Sequence, residues 1–357
     1  MAKNMKVLID VGHPIGIHIL KNLAWILEKK KWQILFTAIG KDVNIPLLQK
    51  YGFNFEIAGR HYKNILAKAK GLIERDWELL RIAKNFKPDL FLSNGSVHAA
   101  HVAFLLRKPH ISFEETGNLD QVLLYKYFVN AIVTPNCINL NLGKRHIKYN
   151  GYAELAYLHP SYFNPDPAVL DELGLGKKDT FVLVRFVSWA ATHDMGHSGI
   201  AIDNKRKAVK EFSKYARVFI SSEIGMPSDL EQFRLRISPE KLHHIIYYAA
   251  MTYGEGAAVA VESAVLGTPS IYLYTNGTYA TRDLESRYGA IFNFTESYQD
   301  QLHSIQKGVE LLRKPDIKAE WQKKREQILK DKIDVTAFMV WFVENYPHSL
   351  KAMKTGR

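Results

Sequence analysis

The residues Gly254-Glu255-Gly256-Ala257-Ala258 run into Val259-Ala260-Val261-Glu262 and close on Leu266-Gly267-Thr268-Pro269. Glycines at the start of a helix let a ligand approach the backbone closely. The N–H groups there, with the positive end of the helix dipole, suit a phosphate. Glu262 falls about a turn and a half into that helix, where a carboxylate can accept hydrogen bonds from sugar hydroxyls. Phosphate at the amides and ribose at the carboxylate describe a nucleotide-sugar site, with Gly254, Glu255, Gly256, Ala257, Ala258 and Glu262 as its contacts. The plainer alternative is a turn and a helix whose Glu faces water. The spacing from glycines to Glu to Gly-Thr-Pro is more specific than either half alone.

Other reactive residue types follow predicted strands. Gly12-His13-Pro14-Ile15-Gly16-Ile17-His18 carries two imidazoles. An unperturbed imidazole titrates near ~6.5, so His13 or His18 could take a proton from an acceptor hydroxyl, unless His18 merely packs the helix start. In Ser112-Phe113-Glu114-Glu115-Thr116-Gly117, neighbouring side chains alternate in direction, so at most one carboxylate faces a ligand. Asn94, Gly95 and Ser96 lie at another strand-to-helix turn and could bind an acceptor, with Ser96 equally suited to cap the helix. Arg185 ends a strand and would neutralise a leaving diphosphate. Ser188 and His193 follow it as phosphate or sugar contacts, and Ser222 and Glu223 end the next strand beside the nucleotide. His193-x-x-x-His197 has a metal-ligand spacing, but Gly196 and Gly199 argue against a helix there. The chain has no Asp-x-Asp. That favours charge stabilisation by amides and Arg185 without a metal or cofactor.

The glycine-helix stretch resembles the donor-binding element of GT-B glycosyltransferases, in which a Glu stands five residues before Gly-x-Pro. The non-hydrolysing UDP-GlcNAc 2-epimerases share the layout. The chain as a whole resembles more closely a domain-of-unknown-function family placed in that superfamily. The likeness is carried by Tyr247-Tyr248-Ala249, the glycine-helix stretch, Arg185-Phe186-Val187-Ser188-Trp189, His193-Asp194, Gly196-His197-Ser198-Gly199 and the amino-terminal strand and loop. The resemblance implies a metal-independent glycosyltransferase acting in surface polysaccharide or glycan synthesis, with His18 in the loop where inverting GT-B enzymes often carry a general base, inversion and retention both staying open. It also implies a loop in which Glu115, like a strand-end epimerase acid, moves a proton at the sugar. The alternatives are a nucleotide-sugar 2-epimerase and a nucleotide-sugar-binding protein without catalysis. Where the family usually has a hydroxyl residue this chain has Ala258, so the phosphate would be held by backbone amides.

These residues need a scaffold. Apolar runs Val7–Val11, Ile34–Thr37, Phe53–Ile57, Asp89–Ser93, His110–Phe113 and Ala131–Thr134 read as strands. Between them lie helical patterns, among them Ile17–Lys30 and a long helix from Asn64 to Phe86 with a break near Gly71. The second half repeats the alternation with Phe181–Phe186, Val218–Ser221, Ile245–Ala249 and Ile271–Tyr274, and a last long helix runs from about Ala319 to Tyr346. Strand–helix alternation predicts α/β architecture with parallel sheets. The expectation is two Rossmann-like domains facing across a cleft, of GT-B type, with the C-terminal helix crossing back to the first domain. The boundaries are 1–150 for the acceptor-side domain, 151–177 for a Pro-rich linker with a short helix at Ala168–Leu173, 178–318 for the nucleotide-sugar domain, and 319–357 for the returning helix.

Composition bounds the rest. With 357 residues, 47% hydrophobic and 24% charged, the chain suits two soluble globular domains. The single cysteine, Cys137, excludes an internal disulfide and a cysteine zinc cluster. No leader and no membrane-length apolar run is seen, which places the protein in the cytoplasm. The net charge of +12 fits an anionic nucleotide or an anionic bilayer. Nucleic acid is disfavoured because the basic residues are scattered and no nucleic-acid module is present. The stretch Arg60–Arg75, with Lys63, Lys68 and Lys70 among apolar residues, is a candidate for peripheral contact with the inner face of the membrane and a lipid-linked acceptor.

Overall fold

The computed structural model describes residues 4–40, 43–59, 65–176, 178–187, 199–222 and 225–355, with the side chains of 65–70 excepted. The chain divides into two compact units, Met1–Tyr157 with Lys332–Arg357, and Leu158–Asp331.

In chain order the first stretch is β1 (Lys6–Val11), α1 (Pro14–Lys29), β2 (Gln33–Ala38), α2 (Asn44–Lys50), β3 (Phe55–Ile57), α3 (Ile65–Phe86), β4 (Leu90–Ser93), α4 (Val97–Leu105), β5 (His110–Phe113), α5 (Leu119–Tyr125), β6 (Ala131–Pro135) and β7 (His146–Tyr149). The short α6 (Leu155–Leu158) straddles the division. The second unit continues with α7 (Ala168–Glu172), β8 (Phe181–Phe186), α8 (Ile202–Phe212), β9 (Arg217–Ser222), α9 (Ser228–Glu231), α10 (Leu242–Tyr248), β10 (Met251–Gly254), α11 (Ala257–Leu266), β11 (Ser270–Leu273), α12 (Tyr279–Tyr288), β12 (Ile291–Phe294), α13 (Tyr298–Leu312) and α14 (Ile317–Asp331). The chain ends in the first unit with α15 (Val335–Glu344) and α16 (His348–Thr355).

Both sheets are parallel throughout. The first has seven strands in the order β3-β2-β1-β4-β5-β6-β7, the second five in the order β12-β11-β10-β8-β9. A sheet wound outward in both directions from its first strand has a point where the strand order reverses, and loops leaving the two strands there diverge to opposite faces. That point lies between β1 and β4 in the first unit, where Asp10 pairs with Ser93. In the second it lies between β8 and β10, where Arg185 pairs with Gly254. Central strands buried on both faces carry near-continuous apolar sequence, as in Val7-Leu8-Ile9 and Val182-Leu183-Val184, all of them buried.

Three expectations are corrected. Ile245–Ala249 is not a strand: Leu242–Tyr248 is helical and the strand is Met251–Gly254. A short apolar run does not by itself distinguish the two, and Tyr253, rather than the Ile-Ile-Tyr-Tyr run, packs on Phe212 in the sheet core. The helix of residues 65–86 passes through Gly71 unbroken. A glycine costs a helix about 1 kcal/mol, less than packing along α4 returns. The last long helix is two: α14 ends at Asp331 in the second unit, and α15 starts at Val335 behind the side-chain cap of Asp334, which accepts from Ala337 N at 2.8 Å. The strand β7 and the helices α2 and α5 are additions to the sequence reading.

α15 closes the first unit by packing on α1. The carbonyl of Ala156 accepts from both Asn22 Nδ2 of α1 at 2.7 Å and Thr336 Oγ1 of α15 at 2.6 Å. All three residues' polar contacts are buried, so one acceptor satisfies two donors that burial would otherwise penalise.

Candidate functional site

In the second unit β10 must turn sharply into α11. Gly254 has φ +142°, and a Cβ there would fall 2.0 Å from the Arg185 carbonyl oxygen. That oxygen accepts from Glu255 N at 3.0 Å, so the glycine turn is laced to the end of β8. Gly256 is the N-cap of α11 and supplies no side-chain cap. The amino end of the helix therefore keeps the backbone donors that anion binding uses. A Cβ on Gly256 would come within 2.8 Å of Arg185 Cγ, so the arginine stem lies directly on this turn. Its guanidinium donates from Nη1 to Ser221 Oγ of β9 at 2.6 Å. Ala257 and Ala258 are half-buried in the first turn. Helix amides and a guanidinium thus meet at the second sheet's switch point. Ser222 ends β9 next to them, half-buried and in register with Phe186. The helix stops as the sequence implies: Gly267 adopts φ +72°, and Thr268 Oγ1 donates to Ile246 O at 2.8 Å.

Two residues expected to touch the ligand are buried. Glu255 is 4% exposed and accepts from Val187 N at 3.1 Å, Ile200 N at 2.6 Å and Lys205 Nζ at 3.4 Å. It fastens the chain where it leaves β8 and where it returns ahead of α8. A buried carboxylate needs such donors, and here they are two backbone amides and a lysine rather than a ligand. Glu262 is also 4% exposed, and His243 Nε2 of α10 lies 3.0 Å from its Oε1. His243 escaped the sequence reading, because one imidazole in Leu242-His243-His244-Ile245 carries no spacing signal. Ser188, His193 and Glu223 lie outside the described residues.

In the first unit the corresponding switch point is built around a buried charge. Asp10 is fully buried at the end of β1. It accepts from Arg75 Nη2 of α3 at 3.0 and 2.9 Å, from Thr37 Oγ1 at 2.7 Å and from Ser96 Oγ at 2.5 Å. Burial alone would raise its pKa, but Arg75, Ser96 and Thr37 outweigh this and hold the carboxyl below its ordinary value. An Asp inside an apolar strand was the available signal, and it was not used. Arg75, counted in the sequence as part of a basic membrane face, is 7% exposed and belongs to this network. Lys63 lies outside the described residues.

The acceptor-side residues are largely spent on the fold. Ser96 caps α4 by accepting from Ala99 N at 3.0 Å while donating to Asp10. Asn94 Nδ2 donates to Phe113 O at 2.8 Å. Gly95 has φ +67°, and a Cβ there would meet Glu114 Oε2 at 2.6 Å. Glu114, rather than Glu115, organises the next loop. It accepts from Thr116 N at 2.9 Å, Thr116 Oγ1 at 2.5 Å, Gly117 N at 3.3 Å and Tyr125 Oη at 2.8 Å. Glu115 is half-buried, and desolvation, then the charges of Glu114 and Glu154, push its carboxyl well above the ordinary range. His18 is 7% exposed, with Nδ1 3.3 Å from Tyr51 Oη and its ring 5.4 Å from that of Tyr157. Burial among tyrosines departs from the accessible base expected of it. His13 is exposed and caps α1, its Nδ1 accepting from Ile15 N at 3.4 Å. Among the described residues, no group of three or more His, Cys, Asp or Glu is placed to hold a metal.

His110 lies under this end of the sheet, with Nε2 2.8 Å from Ser93 Oγ. Burial pushes its pKa down to about 3, partly opposed by Asp10. Half-buried His146 is pushed down to about 4 by burial and by Lys148. The unfolded chain takes up these protons near ~6.5, and the native state refuses them until pH 3 to 4. Stability of the first unit must therefore fall on acidification below ~6.5, by at most about 1.4 kcal/mol per pH unit for each proton. Solvent screening reduces the share of His146. Urea unfolding between pH 7 and 4.5 should show this slope, and His110→Gln should flatten it. An unchanged slope in the variant would place the acid sensitivity elsewhere.

A family model described as "Protein of unknown function (DUF354)" matches residues 5–284. No curated protein matches the chain. Among solved structures, UDP-GlcNAc 2-epimerase from Neisseria meningitidis bound to UDP-GlcNAc superposes with a TM-score of 0.70 at 13% identity, covering 95% of this chain and 100% of the other. The S. aureus MnaA–UDP structure gives a TM-score of 0.66 at 12% identity over 97% of each chain. Spinosyn forosaminyltransferase SpnP gives 0.65 at 14% identity over 98% of this chain and 100% of the other. At such identities the likeness establishes the fold: α/β, with two Rossmann-like units, the GT-B class.

Proposed function

This chain belongs to the DUF354 family, and from that premise we propose that it binds a nucleotide sugar at the second unit's switch point and transfers the sugar without a metal. The observation that carries the reading is the amino end of α11, without a side-chain cap among the described residues, beneath the Arg185 stem. A diphosphate there meets backbone donors and the helix dipole, and a guanidinium stands ready for the charge that grows on the leaving group. Glu262, steadied by His243, is the proposed acceptor for ribose hydroxyls. In the first unit, His13 is the proposed base for the acceptor hydroxyl, in preference to the packed His18. The acceptor is a glycan or a lipid-linked sugar.

The test is thermal unfolding in EDTA with UDP, dTDP and their sugars. Ligand at about 100 times its Kd should add roughly 2.7 kcal/mol. Ala258→Asp places a carboxylate in the first helical turn, which the dipole favours and a phosphate does not. The variant should keep its unliganded Tm and lose the shift. An undiminished shift in the variant, or none from any nucleoside diphosphate, would refute the site, and a shift requiring a divalent ion would refute the metal-free step. A second reading, 2-epimerisation, draws on Glu115, whose carboxyl is pushed above its ordinary range by burial and by the charges of Glu114 and Glu154. Analysing the sugar after the same incubation, with no acceptor present, decides it: an epimerase converts the sugar alone.

A further inference from the structure

Among the described residues fourteen large hydrophobic side chains are exposed, and nine of them fall within residues 72–127 of the first unit. Eight of these stand on three neighbouring helices, among them Ile73 and Trp77 on α3, Phe104 and Leu105 on α4, and Leu123 and Leu124 on α5, and Tyr127 follows the end of α5. Side-chain contacts join these helices into one surface. Asp76 of α3 lies 2.7 Å from His98 Nδ1 and 2.9 Å from His101 Nδ1 of α4. His101 Nε2 lies 3.4 Å from Leu124 O, and Phe128 packs edge-on against both His101 and Phe104. Scattered exposed apolar residues need no explanation, but a contiguous group does.

The charges around this surface identify its occupant. Lys126 Nζ stands 5.0 Å over the ring of exposed Tyr127, and Arg145 Nη1 donates to Tyr127 O at 2.8 Å. Arg81, one turn beyond Trp77, and Arg107, two residues beyond Leu105, are exposed. The acidic groups of the same surface are mostly engaged: Asp76 between two imidazoles, and Glu78 accepting from Gly59 N at 2.6 Å. Asp120 in the first turn of α5 is the exposed exception.

We propose that this face of α3, α4 and α5 docks the protein on an anionic lipid bilayer, its leucines and aromatic rings entering the acyl boundary and its basic rim lying among the headgroups. Aromatic rings at headgroup depth, long basic side chains around an apolar centre and a chain of net charge +12 are the features such binding uses. No helix of the described residues is long and apolar enough to cross a membrane, so the contact is peripheral. A second copy of the chain fits less well, because a two-fold pairing would set each basic rim against its own kind. The apolar centre, rather than the basic stretch Arg60–Arg75, does the docking. The inference is independent of the nucleotide reading.

The full chain should sediment with vesicles of mixed phosphatidylcholine and phosphatidylglycerol, and much less with phosphatidylcholine alone. Trp77 should shift its emission to the blue on binding, and Trp77→Phe should remove that shift. Leu123→Glu/Leu124→Glu, at positions already exposed, should lower vesicle affinity about tenfold or more. Tyr298→Glu, an equally exposed site on the second unit, should not. Folding of each variant is read from its unliganded Tm. No binding to anionic vesicles, binding that survives the double substitution, or a blue shift that persists without Trp77 would each overturn the proposal. A concentration-dependent dimer abolished by the same substitution would also overturn it, assigning the face to a second copy.

Discussion

Gly254→Ala is expected to unfold the second unit, not merely to weaken a ligand site. At φ +142° a side chain is strained wherever it points, and here it points into the Arg185 carbonyl at 2.0 Å. The carbonyl cannot yield, because it accepts the Glu255 amide and belongs to a central strand paired on both sides. Relief would require β8 and β10 to part. Strain of this kind costs about 3 kcal/mol or more, a large share of the stability of a domain. Urea unfolding read by a probe in the second unit should show the loss, with little change in the first. Full stability in the variant would mean that the turn has another conformation. Gly256→Ala is a useful companion, since the tight contact of its Cβ, at 2.8 Å, would be with the flexible stem of Arg185. It should cost much less and act chiefly on anion binding.

Asp10→Ala should destabilise the first unit by about 3–5 kcal/mol, because it leaves the Arg75 guanidinium buried and uncompensated. Arg75→Met should cost a comparable amount for the reverse reason. The two together should cost far less than the sum, since the pair's worth is set by the penalty of separating it. A double-mutant cycle by urea unfolding measures this, and additive losses would contradict the pairing. The carboxyl is held below its ordinary value, so its contribution is present above about 3.8 and is lost as pH falls through its lowered native pKa. Its loss begins near 3.8 whereas that of His110 begins at ~6.5, so the upper part of an acid titration reports His110 alone of the two.

Much of the scaffold was legible because parallel strands buried on both faces leave unmistakable apolar runs. β1, β5 and β8 were read almost to the residue on that basis. Ile245–Ala249 failed because a short apolar run without alternation serves helix and strand equally. The split between α14 and α15 was hidden, since both halves keep helical apolar spacing and the break rests on an Asp cap. The glycine turn after β10 and the strand-end place of Arg185 were legible because backbone geometry demands them. Glu255 was misread and Glu114 passed over for one reason. A carboxylate that gathers nearby backbone amides has the same sequence signature as one that gathers a ligand. Only the fold decides which donors arrive. Asp10 and Arg75 lie 65 positions apart, and no local pattern could have paired them.

The shared Ala156 carbonyl bears on the order in which the protein can be made. Its two donors come from α1 and α15, at opposite ends of the chain. During synthesis the contact between those helices cannot exist until residues beyond 336 have left the ribosome. The second unit is continuous from Leu158 to Asp331 and has all its residues by then. Domains commonly mature from the amino terminus onward. Here the unit that is started first is the one that must wait, its apolar α1 face uncovered while the later unit can already close, and a truncated or stalled chain ends with that face still open.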